Sequence, residues 1–198
     1  RRDEVTRIYP KEGKEINKKT VTKTMEVSLP LFMIGIKDDL TEKYKEVVKR
    51  HIAIEIIMNM LVGKSSKLYQ KLYGENLLLS APDTDYEFTD NYAHAMITGQ
   101  SKEPEKVKEE LLKEISNLKE NFNKEDFERI KKKVYGDYVA EYNSVSDIAR
   151  MFLSDYFKGI NSFDYIEKYN TVTAEYTKQV LQELFDEKNM ILSVVRGK

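Results

Sequence analysis

The stretch Ile52-Ala53-Ile54-Glu55-Ile56-Ile57-Met58-Asn59-Met60-Leu61-Val62-Gly63-Lys64-Ser65-Ser66-Lys67-Leu68-Tyr69-Gln70-Lys71-Leu72-Tyr73 decides the fold. From Ile52 to Val62 it is apolar at nearly every position, broken only by Glu55 and Asn59. A helix apolar nearly all round is buried on several sides. Upstream, Tyr44, Val47, Val48 and His51 continue the three- and four-residue spacing, so the helix is predicted from about Thr41 to Val62. Gly63 ends it, as glycine does at helix C-termini. Ser65-Ser66 starts another over Lys67 to Tyr73, with Leu68 and Leu72 on one face, and Gly74 and Asn76 close that one.

The flanks supply strands. Residues 1–20 are mostly charged and polar, with Pro10 and Gly13, and read as a linker or extended lead-in. Val21 to Leu29 alternates loosely, and Leu31 to Ile36 is a short apolar run between Pro30 and Asp38-Asp39, so two strands are expected there. After the helix pair, residues 77–99 read as strand, turn, strand. Leu77-Leu78-Leu79 precedes the turn-rich Pro82-Asp83-Thr84-Asp85, Tyr86 and Phe88 alternate with polar residues, and Asp90-Asn91 makes a hairpin turn before Tyr92 to Ile97.

From Pro104 the period becomes helical. Val107, Leu111, Ile115 and Leu118 form a stripe behind a proline that suits a first turn. Asn123 can cap a second helix, whose spacing runs from Phe127 to Phe152, roughly seven turns at 3.6 residues per turn. Gly136 is the weak point within it, and Gly159 ends it. Ile160 to Tyr169 reads as a short helix, Thr173 caps one carrying Tyr176, Val180, Leu181 and Leu184, and Met190 to Val195 reads as a last strand. The order β-β-α-α-β-β-α-α-α-α-β is α+β: a largely antiparallel sheet with helices packed on one face, in a single domain over residues 21–198.

Composition narrows the chemistry. The 198 residues include 33 Lys+Arg against 34 Asp+Glu, two His and no Cys. A formal net charge of −1 argues against nucleic-acid binding through a broadly basic face. Without cysteine there is no disulfide framework, thiol catalysis or Cys-ligated zinc. The longest apolar stretch is too short for a bilayer, which needs about 20 residues. The chain opens Arg1-Arg2-Asp3-Glu4 rather than with Met, so it is expected to be part of a longer, cytoplasmic protein, with no membrane partner.

His51 and Glu55 sit one helical turn apart, but a zinc site needs at least three protein ligands and only His94 remains. Both zinc orders, H-E-x-x-H and H-x-x-E-H, are missing, so the pair reads as a partly buried histidine near a carboxylate. Gly63-Lys64-Ser65 echoes a phosphate loop, yet Met58 stands where its first glycine belongs. Lys64, Lys67, Lys71 and Lys131-Lys132-Lys133 read as solvated helix faces. Among the 13 tyrosines, Tyr135, Tyr138, Tyr142 and Tyr156 fit helix packing, while Tyr69, Tyr73 and Tyr86, near a turn-rich segment, are candidates for a peptide-holding groove. No Gly-x-Ser-x-Gly elbow or spaced acid/base pair occurs, so no catalytic residue is assigned.

Residues 52–73, with their "S-S-x-L-Y-x-x-L" helix start, resemble the second, non-catalytic domain of the pitrilysin/insulinase/mitochondrial-processing-peptidase family, in its bacterial branch. Leu29-Pro30-Leu31-Phe32-Met33-Ile34-Gly35-Ile36-Lys37 resembles the strand "P-x-x-x-x-G-x-K" that opens that domain. Ala95-Met96-Ile97-Thr98-Gly99, the long helices and Met190 to Val195 follow in family order. The resemblance implies a substrate-enclosing half that is inert alone, with zinc in a separate catalytic half and a peptide held between the two. It also implies an Arg directly after "L-Y-x-x-L" and a Tyr downstream that hold the substrate backbone. Those places fall on Tyr73 and Leu79, so the guanidinium fork is lost. A binding or scaffold subunit without peptidase activity is the alternative, and a stand-alone enzyme using His51 and Glu55 a third reading.

Overall fold

A computed structural model describes Ile8, Gly13 and residues 15–39, 46–89 and 91–198. Most of the 1–20 lead-in, the helix start at Thr41 with Tyr44, and Asp90 of the hairpin turn lie outside the described residues. The elements are β1 (Thr20–Thr24), β2 (Leu31–Asp38), α1 (Val47–Val62), α2 (Lys67–Gly74), β3 (Asp83–Phe88), β4 (Ala93–Gln100), α3 (Pro104–Glu120), α4 (Lys124–Ala140), α5 (Val145–Phe157), α6 (Asp164–Tyr169), α7 (Ala174–Leu184) and β5 (Met190–Arg196). The strands form one sheet in the order β1-β5-β2-β4-β3. Every neighbouring pair is antiparallel except β1 with β5.

Period-two alternation makes the sheet one-sided. In β2, Phe32, Ile34 and Ile36 are buried while Leu31 and Met33 are exposed. The register carries this across the sheet: Ile34 faces Ile97 on one side and Leu192 on the other. All helices that contribute to the core do so on that buried side, and α1 is its axis, touching α2, α3, α4, α6, α7 and β3. Ile54, Ile56 and Ile57 are fully buried, which is why the sequence here is apolar all round. Trimming any one to alanine costs about 2–5 kcal/mol.

Caps follow the sequence closely. The Ser66, Asn123 and Thr173 side chains accept backbone N–H groups at the starts of α2, α4 and α7. Gly63 closes α1 with extended rather than left-handed backbone (φ −62°). Glycine is needed there because a Cβ would run into the Asn59 carbonyl oxygen.

Four expectations change. The single helix expected from Asn123 towards Gly159 is two, because residues 141–143 tighten into a 3-10 turn and Ser144 caps α5 through the Asp147 N–H. The break is not at Gly136. Leu77-Leu78-Leu79 is not a strand: the Leu77 and Leu78 N–H groups both bond back to the Leu72 carbonyl, burying Leu77 and Leu78 against the end of α2. Asp83 to Asp85, expected as turn, opens edge strand β3 instead. The first strand also stops at Thr24 rather than running to Leu29.

Candidate functional site

The helices cover one side of the sheet, and the other side is hollowed into a cleft of about 1280 Å³. Its floor comes from alternate residues of three strands. Gly35 lies between Met96 and Ile191, its partners in β4 and β5. A Cβ at Gly35 would meet the Ile191 side chain at 3.1 Å, so glycine makes the low point of the floor. Met33 and Leu31 remain about 40 % exposed (42% and 38%) on the same side. Segment 15–18 borders the cleft, and Lys37 Nζ donates to the Gly13 carbonyl at 2.7 Å.

At one end of the cleft the sheet holds a buried ionic group. Asp38, the last residue of β2, accepts from Arg50 Nε at 2.7 Å and Nη2 at 2.8 Å, and from the Tyr86 hydroxyl at 2.7 Å. The remaining Arg50 nitrogen reaches Glu183 at 3.3 Å. Arg50 sits in the first turns of α1, Tyr86 on β3 and Glu183 on α7, so the group ties three elements to the end of β2. Burial opposes the Arg50 charge, but the hydrogen bonds and charge of Asp38 more than offset it and raise its pKa. Burial and the Asp38 charge raise the Tyr86 pKa, keeping it a neutral donor. Sequence reading singled out neither Asp38 nor Arg50. The available signal was a charged residue inside the most apolar helix of the chain.

The three tyrosines expected to line one groove separate. Tyr69 and Tyr73 are brought together on α2, ring centroids 5.7 Å apart, with Tyr73 55% exposed and Tyr69 packed against the core edge. Leu79 is exposed as well. Tyr86 stands apart from them, only 2% exposed, beside His51 and Phe88, because its hydroxyl is drawn inward to Asp38.

His51 and Glu55 do not make a donor set for zinc. His51 Nδ1 shares a 2.7 Å hydrogen bond with the Tyr165 hydroxyl, and its ring lies among Tyr86, Phe88 and Tyr165. His94 is on the open side of the sheet, stacked on Tyr92, so the two histidines lie on opposite sides. Among the described residues no three His, Asp or Glu side chains gather as metal ligands. Burial, with the Lys158 charge, lowers the His51 pKa to about 4. Burial raises Glu55 to about 7, with Lys133 opposing and Asp137 adding to the shift. No helix among the described residues is long and apolar enough to cross a membrane.

Comparison with known proteins agrees with this architecture. The sequence model of the family described as "Peptidase M16 inactive domain" matches residues 4–134. The "Uncharacterized zinc protease YmfH" of Bacillus subtilis (strain 168) is 26% identical over 181 residues, which are 91% of this chain and 42% of that protein. The chain therefore spans less than half the length of this relative. The crystal structure of an M16-like peptidase from Alicyclobacillus acidocaldarius superposes with a TM-score of 0.88 at 22% identity, over 96% of this chain and 46% of the other. The inactive peptidase domain of a Bordetella parapertussis zinc protease superposes at 0.69 and 13% identity, over 87% of this chain and 92% of that one.

Proposed function

The chain belongs to the M16 peptidase family, matching its inactive domain, and on that premise we propose that it is the non-catalytic half of a zinc-dependent peptidase, enclosing and orienting a peptide opposite a catalytic half. The observation that carries this reading is the open sheet side, where Met33, Gly35, Met96 and Ile191 line a cleft of about 1280 Å³. An antiparallel sheet can leave such a side to water, and a second α+β half laid over it closes a space lined by both apolar and charged side chains. Zinc, with its Lewis-acid and water-activating chemistry, belongs to that other half. Residues 21–198 act as one domain, in the cytoplasm, with residues 1–20 as the lead-in.

Tyr69 and Tyr73, two phenols in place of the guanidinium that the family resemblance puts after "L-Y-x-x-L", lie on α2 outside the cleft lining, so in this reading they meet the peptide beyond the cleft itself. Tyr86 contributes by fixing Asp38 and Arg50 at the end of the cleft. The test is reconstitution. The chain and the catalytic half, produced separately, are expected to cleave a fluorogenic peptide only when mixed, and Met33→Glu or Met96→Glu is expected to weaken their association at least tenfold. A catalytic half fully active alone, or association untouched by both substitutions, refutes the reading. Association without cleavage of any peptide favours the scaffold alternative, which the loss of the guanidinium at Tyr73 also supports.

A further inference from the structure

Apolar burial stops at Val134 and resumes at Val172. Residues 135–171 hold the end of α4, all of α5 and all of α6, and the buried side chains among them are Asp155 and Ser162, two polar groups. Helix α5 leaves apolar residues in water, Val145 84% and Phe157 82% exposed, whereas the slightly shorter α7 buries Val180, Leu181 and Leu184. Phenols and lysines attach this stretch to the body. The Tyr165 hydroxyl shares a 2.7 Å hydrogen bond with His51 Nδ1 on α1, and the Tyr138 hydroxyl on α4 donates to the Ser162 carbonyl at 2.5 Å. Tyr165 stacks on Tyr138, and the Tyr169 ring lies 4.4 Å from that of Tyr135. Lys158 pairs with Glu87 at 3.1 Å and sits over the Phe88 ring, and Lys168 reaches Glu46 at 3.8 Å. Ile160, Tyr165 and Tyr169 rest on the core half-buried. Attachments of this kind are lost cheaply, because a phenol that leaves its partner bonds water instead and an exposed ion pair contributes little.

Within the stretch the parts are tied to one another. The Ser162 hydroxyl, just ahead of α6, donates to Asp155 of α5 at 2.6 Å, Phe152 meets the edge of Phe163 at 5.3 Å, and the Ile160 N–H bonds back to the Asp155 carbonyl. Both ends are joints. On one side the helical ladder is interrupted between α4 and α5 by the 3-10 turn at 141–143. On the other, Val172 is fully buried and Lys131 Nζ holds its carbonyl at 2.7 Å, so the chain is pinned again directly after α6.

We propose that residues 144–170 form a helical flap, in which α5 and α6 leave α1 and α4 together, hinged at 141–143 and at Thr171, while the sheet and the other helices stay folded. A segment with few buried apolar contacts opens more readily than the whole molecule unfolds, and it does so as a cooperative unit. The open state bares His51, Phe88 and the facing sides of α1 and α4. Once detached, helices of 13 and 6 residues are too short to persist in water, so their backbone amides become free to exchange. No residue of the flap lines the cleft, so its opening is independent of what the cleft holds.

Native-state hydrogen exchange of this chain, read by mass at rising sub-denaturing urea, tests the flap. Amides of α5 and α6 are expected to exchange through one shared opening, about a hundredfold more frequent than the opening that exposes α1 and β2. Two variants separate this opening from global unfolding. Ile54→Val, in the core, is expected to raise exchange of α1 and β2 about fivefold and to leave that of α5 and α6 unchanged. Tyr165→Phe, which removes the hydroxyl bonded to His51, is expected to raise exchange of α5 and α6 about fivefold. It should raise α1 and β2 by the same factor, because it acts on the closed state from which both openings start. Exchange of α5 and α6 as slow as that of α1, or rising with it in Ile54→Val, overturns the proposal, since the segment then opens only with the whole molecule. So does α5 exchanging as an unfolded peptide does, which leaves no closed state, or α5 and α6 opening at different rates. Exchange of α5 and α6 indifferent to Tyr165→Phe overturns the attachment at His51.

Discussion

His51 and Glu55 lie one turn apart on α1, and their pKa values are displaced in opposite senses, to about 4 and about 7. Their linkage to stability should therefore cancel over most of the acidic range. His51 titrates at about 6.5 in the unfolded chain, so between pH 6.5 and 4 the unfolded state holds a proton that the folded state does not, and stability is lost as pH falls. For Glu55, with an unfolded value of about 4.5, the folded state holds the extra proton between pH 4.5 and 7, and stability is lost as pH rises. At 1.36 kcal/mol per pH unit each effect amounts to about 3 kcal/mol across its window. Glu55→Gln removes one and leaves the other. The stability difference between this variant and the parent should grow by about 3 kcal/mol from pH 4.5 to 7.5. For His51→Gln, whose amide oxygen can still accept from Tyr165, the difference should instead grow by a similar amount as pH falls from 7 to 4. Urea unfolding followed by tyrosine fluorescence at half-unit pH steps measures both, and taking differences removes the titration of every other group. Parallel pH profiles for the variants and the parent would refute the opposed burial of these two residues.

Breaking the ionic group at the end of the cleft should be costly. Arg50→Met leaves the Asp38 carboxylate buried without its ion pair and is expected to lower stability by about 3–5 kcal/mol in denaturant titrations. Tyr86→Phe removes one charge-assisted hydrogen bond and should cost about 1.5–3 kcal/mol by the same measurement. Tyr73→Arg, at an exposed position, should leave the thermal midpoint unchanged and lower KM for peptide in the reconstituted enzyme; an unchanged KM would detach Tyr73 from the substrate. Gly159→Ala, at a left-handed φ of 72° with open space around it, should destabilise by about 1 kcal/mol through backbone strain alone.

What the sequence made legible was whatever is local. The α3 stripe, the caps at Asn123 and Thr173, and the glycine stop at Gly63 rest on residues a turn or two apart, and all stand in the structure. The break between α4 and α5 was hidden because Tyr138, Tyr142 and Val145 keep helical phase across it, while its signal, Ser144 three residues before Asp147, is a short capping motif. Strand β3 was disguised by Asp83 and Asp85, tolerable because it is an edge strand with those side chains turned away from the core. Of the candidate site, the pairing of half-buried Tyr69 with exposed Tyr73 follows from helix spacing. The Asp38, Arg50 and Tyr86 group does not, since its members are 12 and 48 residues apart and meet only after the sheet is assembled.

The pairing of β1 with β5 has a consequence for synthesis. β5 lies between β1 and β2, inside the sheet, yet it comes last in sequence among the five strands described, and Thr20 pairs with Leu192. On the ribosome, β2, β4 and β3 can assemble as they emerge, but β1 has no neighbour and β2 only one until β5 clears the exit tunnel. Long-range pairing of this kind forms slowly and leaves strand edges exposed in the interim. A nascent chain stalled before Met190 should therefore be the aggregation-prone species, and the helper it calls for is a holding chaperone engaged with the unclosed side of β2.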